Sequence, residues 1–263
     1  MPKGKRTSRS ASVNQLAADR RCILTPKSDF YIREAYKTLR TNTTFALAGE
    51  DGCKVILVTS SLQGEGKSMT ALNLAISFAE AENRVLLIDC DLRRPKLARL
   101  LRKSAPAGLS NVLLNPKLLP EALMFSGIER LDLILSGDIP PNPSELLGSA
   151  RMTELLRRLR EHYDYILLDT PPVNLVTDAV VLARRSDGVL FVVRANKSER
   201  GAVSYAVEQL GYAQAKILGF VLEDVSGGGS GYGYGKYKYK KYGQYRRYGY
   251  GYGYSAVRGE QEP

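Results

Sequence analysis

The sequence of 263 residues has little cysteine and histidine and no long apolar segment. Its three cysteines, Cys22, Cys53 and Cys90, form no C-x-x-C pair, so the sequence predicts neither a disulfide framework nor a zinc site. No apolar run approaches the roughly 18–20 residues that a membrane-spanning helix needs. The basic start at Met1 leads into no apolar segment of the kind found in secretory signals. These absences favour a protein of the reducing cytoplasm.

The net charge of +11 is concentrated at the two ends of the chain. Residues 1–27 contain seven basic residues and one acidic residue, and residues 226–263 contain seven basic and two acidic residues. Residues 28–225 contain 24 of each sign and are neutral. Cationic ends of this kind favour solvated segments, or segments attracted to acidic lipid, nucleic acid or an acidic partner.

Composition divides the chain into three parts. Residues 1–28 are rich in Ser, Lys and Arg without an apolar period, which predicts a flexible basic arm. Residues 29–225 have the apolar patterning of a globular domain. Residues 226–263 contain 11 Gly and 10 of the 16 Tyr but no Ile, Leu or Phe, which predicts a disordered tail unable to bury a core.

Within residues 29–225, short apolar runs alternate with helical patterns. The runs at 55–58, 85–88 and 165–168 are typical of strands buried on both faces. The sequence predicts that residues 104–148 are irregular, with short helices and one strand at 131–135. The alternation predicts an α/β fold: a mostly parallel sheet of about seven strands with helices on both faces, as in P-loop nucleoside triphosphatases.

A glycine-rich segment, Ser60–Ser68, follows the first strand and opens a helix, which is the context that a P-loop requires. Gly64 and Gly66 allow backbone N–H groups to turn toward phosphate. Lys67 can reach the β- and γ-phosphates, and the Ser68 hydroxyl can bind Mg²⁺.

Three carboxylates follow two other predicted strands. Asp89 and Asp91 stand two residues apart after the second strand, and Asp169 ends the strand at 165–168. Ligands of open α/β sheets bind at the carboxyl ends of the strands. Asp169 is suited to holding Mg²⁺, whereas an ion pair with Arg93 or Arg94 is the alternative role for Asp89 and Asp91.

These segments together resemble the bacterial tyrosine kinases of capsular and exopolysaccharide synthesis, over roughly residues 29–225 and the tail. The loop at 60–68 is similar to that family's Walker A motif, Leu86–Asp91 to its Walker A′ motif and Ile166–Asp169 to its Walker B motif. Glu34–Asn42 and Ile139–Leu147 are also similar to family segments.

The resemblance implies an ATP- and Mg²⁺-dependent tyrosine autokinase. It implies nucleotide contacts from Gly64, Glu65, Gly66, Lys67, Ser68 and Met69. It implies metal contacts from Ser68, Asp91 and Asp169, and catalytic roles for Lys67, Asp89 and Asp91, with Asp89 as the base. The phosphoacceptors would be the tail tyrosines Tyr232, Tyr234, Tyr237, Tyr239, Tyr242, Tyr245, Tyr248, Tyr250, Tyr252 and Tyr254.

The resemblance further implies partners and a place in the cell. Glu34 and Arg40 would contribute to a homo-oligomer, with a ring as the expected form, and Lys37 stands where the family has Arg. A membrane-embedded adaptor would activate the kinase and hold it at the inner face of the plasma membrane, and a tyrosine phosphatase would reverse the reaction.

Two other functions stay open at this point. The first is an ATPase of the partitioning or septum-positioning class, although Leu62 occupies the position where those proteins usually have a second Lys. The second is a nucleic-acid-binding ATPase whose Tyr, Gly and Lys tail stacks on bases, which we do not expect beside a kinase-like core.

Overall fold

A computed structural model describes residues 18–49 and 52–224. The predicted tail with its ten tyrosines, and residues 1–17 of the predicted arm, lie outside the described residues. No helix of the described part is both long and apolar enough to cross a bilayer.

The centre of the domain is a seven-stranded sheet in the order β3-β4-β2-β5-β1-β6-β7. Its strands are β1 (Lys54–Ser60), β2 (Val85–Asp89), β3 (Leu123–Ile128), β4 (Leu131–Ile134), β5 (Tyr165–Asp169), β6 (Gly188–Arg194) and β7 (Ile217–Glu223). All neighbouring pairs are parallel except β3 and β4, which are antiparallel. This confirms the predicted α/β fold.

Helices cover both faces of the sheet. They are α1 (Phe30–Ala46), α2 (Lys67–Ala79), α3 (Leu97–Leu101), α4 (Leu109–Leu114), α5 (Leu119–Ala122), α6 (Pro143–Leu147), α7 (Ala150–Leu159), α8 (Asp178–Ala183) and α9 (Arg200–Tyr212). A 3-10 turn, Pro116–Leu118, lies between α4 and α5.

Strands β1, β2 and β5 are buried on both faces because alternate side chains enter different cores. In β1, Val55 and Leu57 pack with residues of α4, α7 and α8, whereas Ile56 and Val58 pack with residues of α2 and α3. Because each face of the sheet packs against its own apolar cluster, the sequences of these strands are continuous apolar runs and do not alternate between apolar and polar residues.

The sequence prediction of a single strand between residues 104 and 148 was wrong. The structure has two there, and the missed one, β3, pairs with β4 at the edge of the sheet. Only Ser126 of β3 is buried, and Phe125 is 59% exposed. An edge strand exposed in this way, with Gly127 in it at a φ of +95°, lacks the regular apolar period by which strands are recognised.

The predicted arm boundary at residue 28 does not match the described contacts, because residues 18–28 touch the domain. Leu24 is buried, and its backbone N–H donates to Asn73 Oδ1 of α2 at 2.8 Å. Asn73 Nδ2 donates to the Cys22 carbonyl at 2.9 Å. The Asn73 side chain therefore satisfies backbone groups of residues 22 and 24 that have no partner in a helix or strand.

We predict that Asn73→Ala lowers the free energy of unfolding by about 1–3 kcal/mol, because a buried N–H and a carbonyl lose their partners. Urea denaturation monitored by circular dichroism measures the change. Thr38→Ala, on the exposed side of α1, is the control and should change stability by less than about 0.5 kcal/mol. Equal stability of the two variants would mean that the segment before α1 is not held by Asn73.

Candidate active site at the carboxyl edge of the sheet

The strand order brings the predicted functional segments to one place. Strand β5 lies between β1 and β2, with Asp169 in register with Val58 on one side and with Asp89 on the other. The loop after β1, the segment after β2 and the end of β5 therefore meet at the carboxyl edge of the sheet, where α/β proteins bind ligands.

The backbone of the glycine-rich loop is shaped for phosphate. Gly64 and Gly66 have φ angles of +77° and +105°, in the region that favours glycine. Gly66 is the N-cap residue of α2 and, as a glycine, has no side chain with which to cap the helix. The first N–H groups of α2 therefore point toward the loop without a side-chain acceptor, and the helix dipole adds positive potential there.

Lys67, in the first turn of α2, places its ammonium group between two carboxylates. Its Nζ lies 3.2 Å from Asp91 Oδ2 and 3.5 Å from Asp169 Oδ1, and all three side chains are nearly inaccessible. Burial alone would lower the pKa of Lys67, but the charges of Asp169, Asp91 and Asp89 outweigh it and raise the pKa. The lysine is therefore held as a cation.

The Asp169 carboxylate is fully buried; its oxygens accept no hydrogen bond from the described residues, and its contact is the ion pair with Lys67 at 3.5 Å. Burial raises the pKa of Asp169, and the nearby Lys67 charge opposes this. Ser68 lies beside the Asp169 carboxylate, and its hydroxyl is 3.4 Å from Lys67 Nζ. Unsatisfied carboxylate oxygens next to a hydroxyl fit a small divalent cation such as Mg²⁺, which prefers one or two carboxylates plus phosphate oxygens.

Asp89 and Asp91 differ in their surroundings. Asp89 is fully buried, and its two oxygens accept the backbone N–H groups of Asp91 and Leu97, both at 3.2 Å. Burial and the Asp169 charge raise the pKa of Asp89. Asp91 is slightly more open, and it accepts the Arg94 N–H at 3.0 Å as well as the Lys67 ammonium.

Neither Asp89 nor Asp91 forms an ion pair with the Arg93 or Arg94 side chain in the described part of the chain. Arg93 instead makes a two-pronged contact with the buried Asp178 at 3.0 Å, and Ser144 donates to the same carboxylate at 2.6 Å. Arg94 donates to Gln63 Oε1 at 3.2 Å. The Asp91 carboxylate is thus left for Lys67 and the phosphate site.

Sequence reasoning missed the contacts that hold the phosphate loop. The fully buried Glu65 carboxylate accepts the Ser61 hydroxyl at 2.8 Å, the Leu62 N–H at 2.7 Å and the Ser198 hydroxyl. Two cations from the end of β6, Arg194 and Lys197, both donate to the Gly64 carbonyl at 3.1 Å. The one sequence signal that could have marked residues 194–198 as part of the site is that they follow a buried strand.

A second contact joins three elements beside Gly66. Glu223 Oε1, at the end of β7, accepts the Thr70 hydroxyl of α2 at 2.6 Å and the Tyr36 hydroxyl of α1 at 3.4 Å. Burial, reinforced by the Glu223 charge, raises the pKa of Tyr36, so its phenol stays a neutral donor. A Cβ atom on Gly66 would lie 3.1 Å from Glu223 Cγ, so this glycine also gives Glu223 room.

The predicted oligomerisation residues make contacts within the chain. Glu34 is paired with Lys37 at 2.7 Å on α1. Arg40 donates to the Ser77 carbonyl at 2.5 Å, which ties α1 to α2. Met69, predicted to contact nucleotide, is half-buried in the first turn of α2 and packs against the core on that face of the sheet.

Comparison with known proteins agrees with this arrangement. Residues 53–214 match the family model described as an AAA domain. The chain is 40% identical over 189 residues to the tyrosine-protein kinase YwqD of Bacillus subtilis, covering 72% of this chain and 79% of that protein.

Solved structures give the same result. The kinase domain of the Escherichia coli tyrosine kinase ETK superposes with a TM-score of 0.72 at 34% identity, covering 78% of this chain and 80% of that chain. The septum site-determining protein MinD of Pyrococcus horikoshii, in complex with Mg-ADP, has a TM-score of 0.56 at 24% identity, covering 65% and 70% of the two chains. The likeness to MinD concerns the fold alone.

We predict that Glu65→Ala weakens nucleotide binding by about 1–3 kcal/mol, because the donors that hold the loop lose their buried acceptor. Ser198→Ala removes one of these donors and should have a smaller effect in the same direction. Titration with a fluorescent ADP analogue measures both. Unchanged affinity in Glu65→Ala would show that the loop keeps its shape without this carboxylate.

Proposed function

The chain belongs to the bacterial tyrosine-protein kinases, and we propose that it transfers the γ-phosphoryl group of Mg²⁺-bound ATP to tyrosines of its own C-terminal tail. The observation that carries this proposal is the buried Lys67 ammonium between Asp91 and Asp169, beside the uncapped N-terminus of α2. This arrangement offers cations and N–H groups to phosphate, and carboxylates to a metal ion, at a single edge of the sheet.

Nucleotide phosphates would be held by the backbone of residues 64–69 and by Lys67. Ser68, Asp91 and Asp169 would hold Mg²⁺, and the buried Asp169 carboxylate, whose oxygens accept no hydrogen bond from the described residues, is the feature that supports this assignment. When bound, the metal ion neutralises charge on the phosphate oxygens. Lys67 serves the same end, because phosphoryl transfer depends mostly on positioning and on charge neutralisation.

The acceptor phenol has an ordinary pKa of about 10 and is protonated at neutral pH, so a group of the site must take its proton as the phosphoryl group arrives. We assign this role to Asp89, which lies at the end of β2 next to Asp169. Its pKa, raised by burial, suits a group that gains a proton during the reaction. Asp91 orients Lys67 and contributes to the metal site.

The proposed acceptors are the ten tyrosines between Tyr232 and Tyr254. Their support is compositional: they are interspersed with Gly, Lys and Arg, in a segment without Ile, Leu or Phe. A composition of this kind is typical of segments that can present their side chains one after another to a binding site.

The biological role that we propose is control of capsular or exopolysaccharide synthesis. A membrane-embedded adaptor would activate the kinase at the inner face of the plasma membrane, and a tyrosine phosphatase would reset it. Assembly into a homo-oligomer, with a ring as the expected form, would bring the tail of one copy to the site of another through the surface that includes Glu34 and Arg40.

The partitioning or septum-positioning ATPases remain the second candidate class, since they share the fold. This class is less well supported than the kinases, because Leu62 stands at the position of its second lysine. It also gives no function to the tyrosine-rich tail.

The first test concerns the phosphate site. Lys67→Met should lower transfer of radiolabel from ATP to the chain at least about a hundredfold, because one preorganised donor to a developing charge contributes that much. Lys117→Met removes an exposed lysine elsewhere and should keep normal labelling. Circular dichroism checks that both are folded, and a folded Lys67→Met protein that labels itself normally would refute the assignment.

The second test separates the carboxylates. Asp89→Asn should strongly reduce transfer and largely keep nucleotide binding, whereas Asp169→Asn should weaken the dependence of transfer on Mg²⁺. Transfer rates across a Mg²⁺ titration, together with affinity for an ATP analogue, measure both effects. If the two variants lose nucleotide binding equally, Asp89 is not the base and belongs to the metal and loop structure.

The third test concerns assembly. Reversing both charges, with Glu34→Lys and Arg40→Glu, should give monomers in light scattering and lower the rate of transfer between copies. Lys216→Glu, which changes a charge on another part of the domain, should leave the assembly intact. A stable oligomer of the double variant would place the interface elsewhere.

A further inference from the structure

Charge within the neutral part of the chain is strongly separated. Residues 92–120 contain seven basic residues and no acidic residue, so the rest of residues 28–225 has a net charge of −7. Positive charge is therefore concentrated in one stretch of a domain whose net charge is zero, and such a concentration can orient a domain near a charged surface.

The cations of this stretch lie on and around α3. Lys96, Arg99 and Arg102 are spaced three residues apart and are exposed, whereas Leu97 and Leu100 are buried against the core. Arg94, two residues before Lys96, is exposed as well. We refer to Arg94, Lys96, Arg99 and Arg102, with the adjoining Arg20, as the α3 cationic surface.

These cations are not neutralised by the domain itself. Within residues 18–49 and 52–224, none of Lys96, Arg99 and Arg102 forms an ion pair with a carboxylate. Arginines elsewhere on the surface do so: Arg84 pairs with Asp164, and Arg194 with Asp224, each at 3.0 Å. Cations without a carboxylate partner keep their positive potential at the surface.

Arg20 brings a further positive charge to the same place. Arg20 donates from its guanidinium to the Arg99 and Leu100 carbonyls, at the end of α3. The contact fixes the start of the domain at the α3 cationic surface.

We propose that the α3 cationic surface binds the anionic headgroups of a phospholipid membrane, so that the kinase domain itself contacts the inner leaflet. Several exposed cations on α3 and at its two ends suit a planar array of negative charges. Each Lys or Arg near an anionic membrane contributes about a fivefold gain in affinity.

Nucleic acid is the other polyanion that a basic surface can bind, and the residues favour lipid over it. Residues 92–120 contain no Phe, Tyr or Trp. Proteins that bind single strands usually stack bases on aromatic side chains, and this surface offers none.

The experiment measures binding of the full-length chain to vesicles in the absence of ATP, so the result does not depend on the proposed kinase reaction. Wild-type chain should sediment with phosphatidylcholine vesicles containing phosphatidylglycerol, not with pure phosphatidylcholine vesicles, and added salt should release it. The triple variant Lys96→Gln, Arg99→Gln, Arg102→Gln should bind the anionic vesicles at least about tenfold more weakly.

The matched control removes three cations from another side of the domain, with Arg184→Gln, Arg200→Gln and Lys216→Gln. It should keep most of the wild-type binding, and circular dichroism should be unchanged in both triple variants. Equal loss in the two, or no binding by the wild type, would overturn the proposal. So would a triple variant that binds vesicles normally but loses affinity for single-stranded DNA.

Discussion

The site depends on the burial of one ammonium group among carboxylates at the edge of a parallel sheet. Lys67 is held by Asp91 and Asp169 in a region that water scarcely reaches. A buried cation is tolerated only where opposite charges surround it, and buried carboxylates likewise need a cation. This mutual requirement fixes the ends of β1, β2 and β5 relative to one another, so the elements that bind phosphate and metal are positioned before any ligand arrives.

The remaining parts of the site support that cluster from outside. The Glu65 carboxylate shapes the loop that leads to Lys67, and the Asp89 carboxylate, which accepts the backbone N–H groups of Asp91 and Leu97, shapes the turn that follows β2. The Arg93–Asp178 pair fixes the other side of the same turn. Each of these contacts joins residues distant in sequence or turns the backbone sharply, and together they tie the loops of the site to the strands and helices that carry Lys67, Asp89 and Asp169.

Sequence reasoning found the central elements, because they carry strong local signals. Apolar runs of four or five residues followed by Asp or by a glycine-rich turn identify β1, β2 and β5 and their functional ends. It did not find β3, which is exposed at the edge of the sheet, nor the packing of residues 18–28 through Asn73. It also missed Ser198 and Arg194, and it did not anticipate that Tyr36 reaches Glu223. These contacts depend on tertiary neighbours, and a single side chain in the sequence gives no sign of which neighbour it will meet.

The most direct test of the account is to map phosphate on the chain by mass spectrometry after incubation with ATP, Mg²⁺ and an activating adaptor segment. The account predicts phosphotyrosine within the stretch from Tyr232 to Tyr254, with little phosphate on the tyrosines of the folded domain. Hydrolysis of ATP without any phosphotyrosine would contradict it.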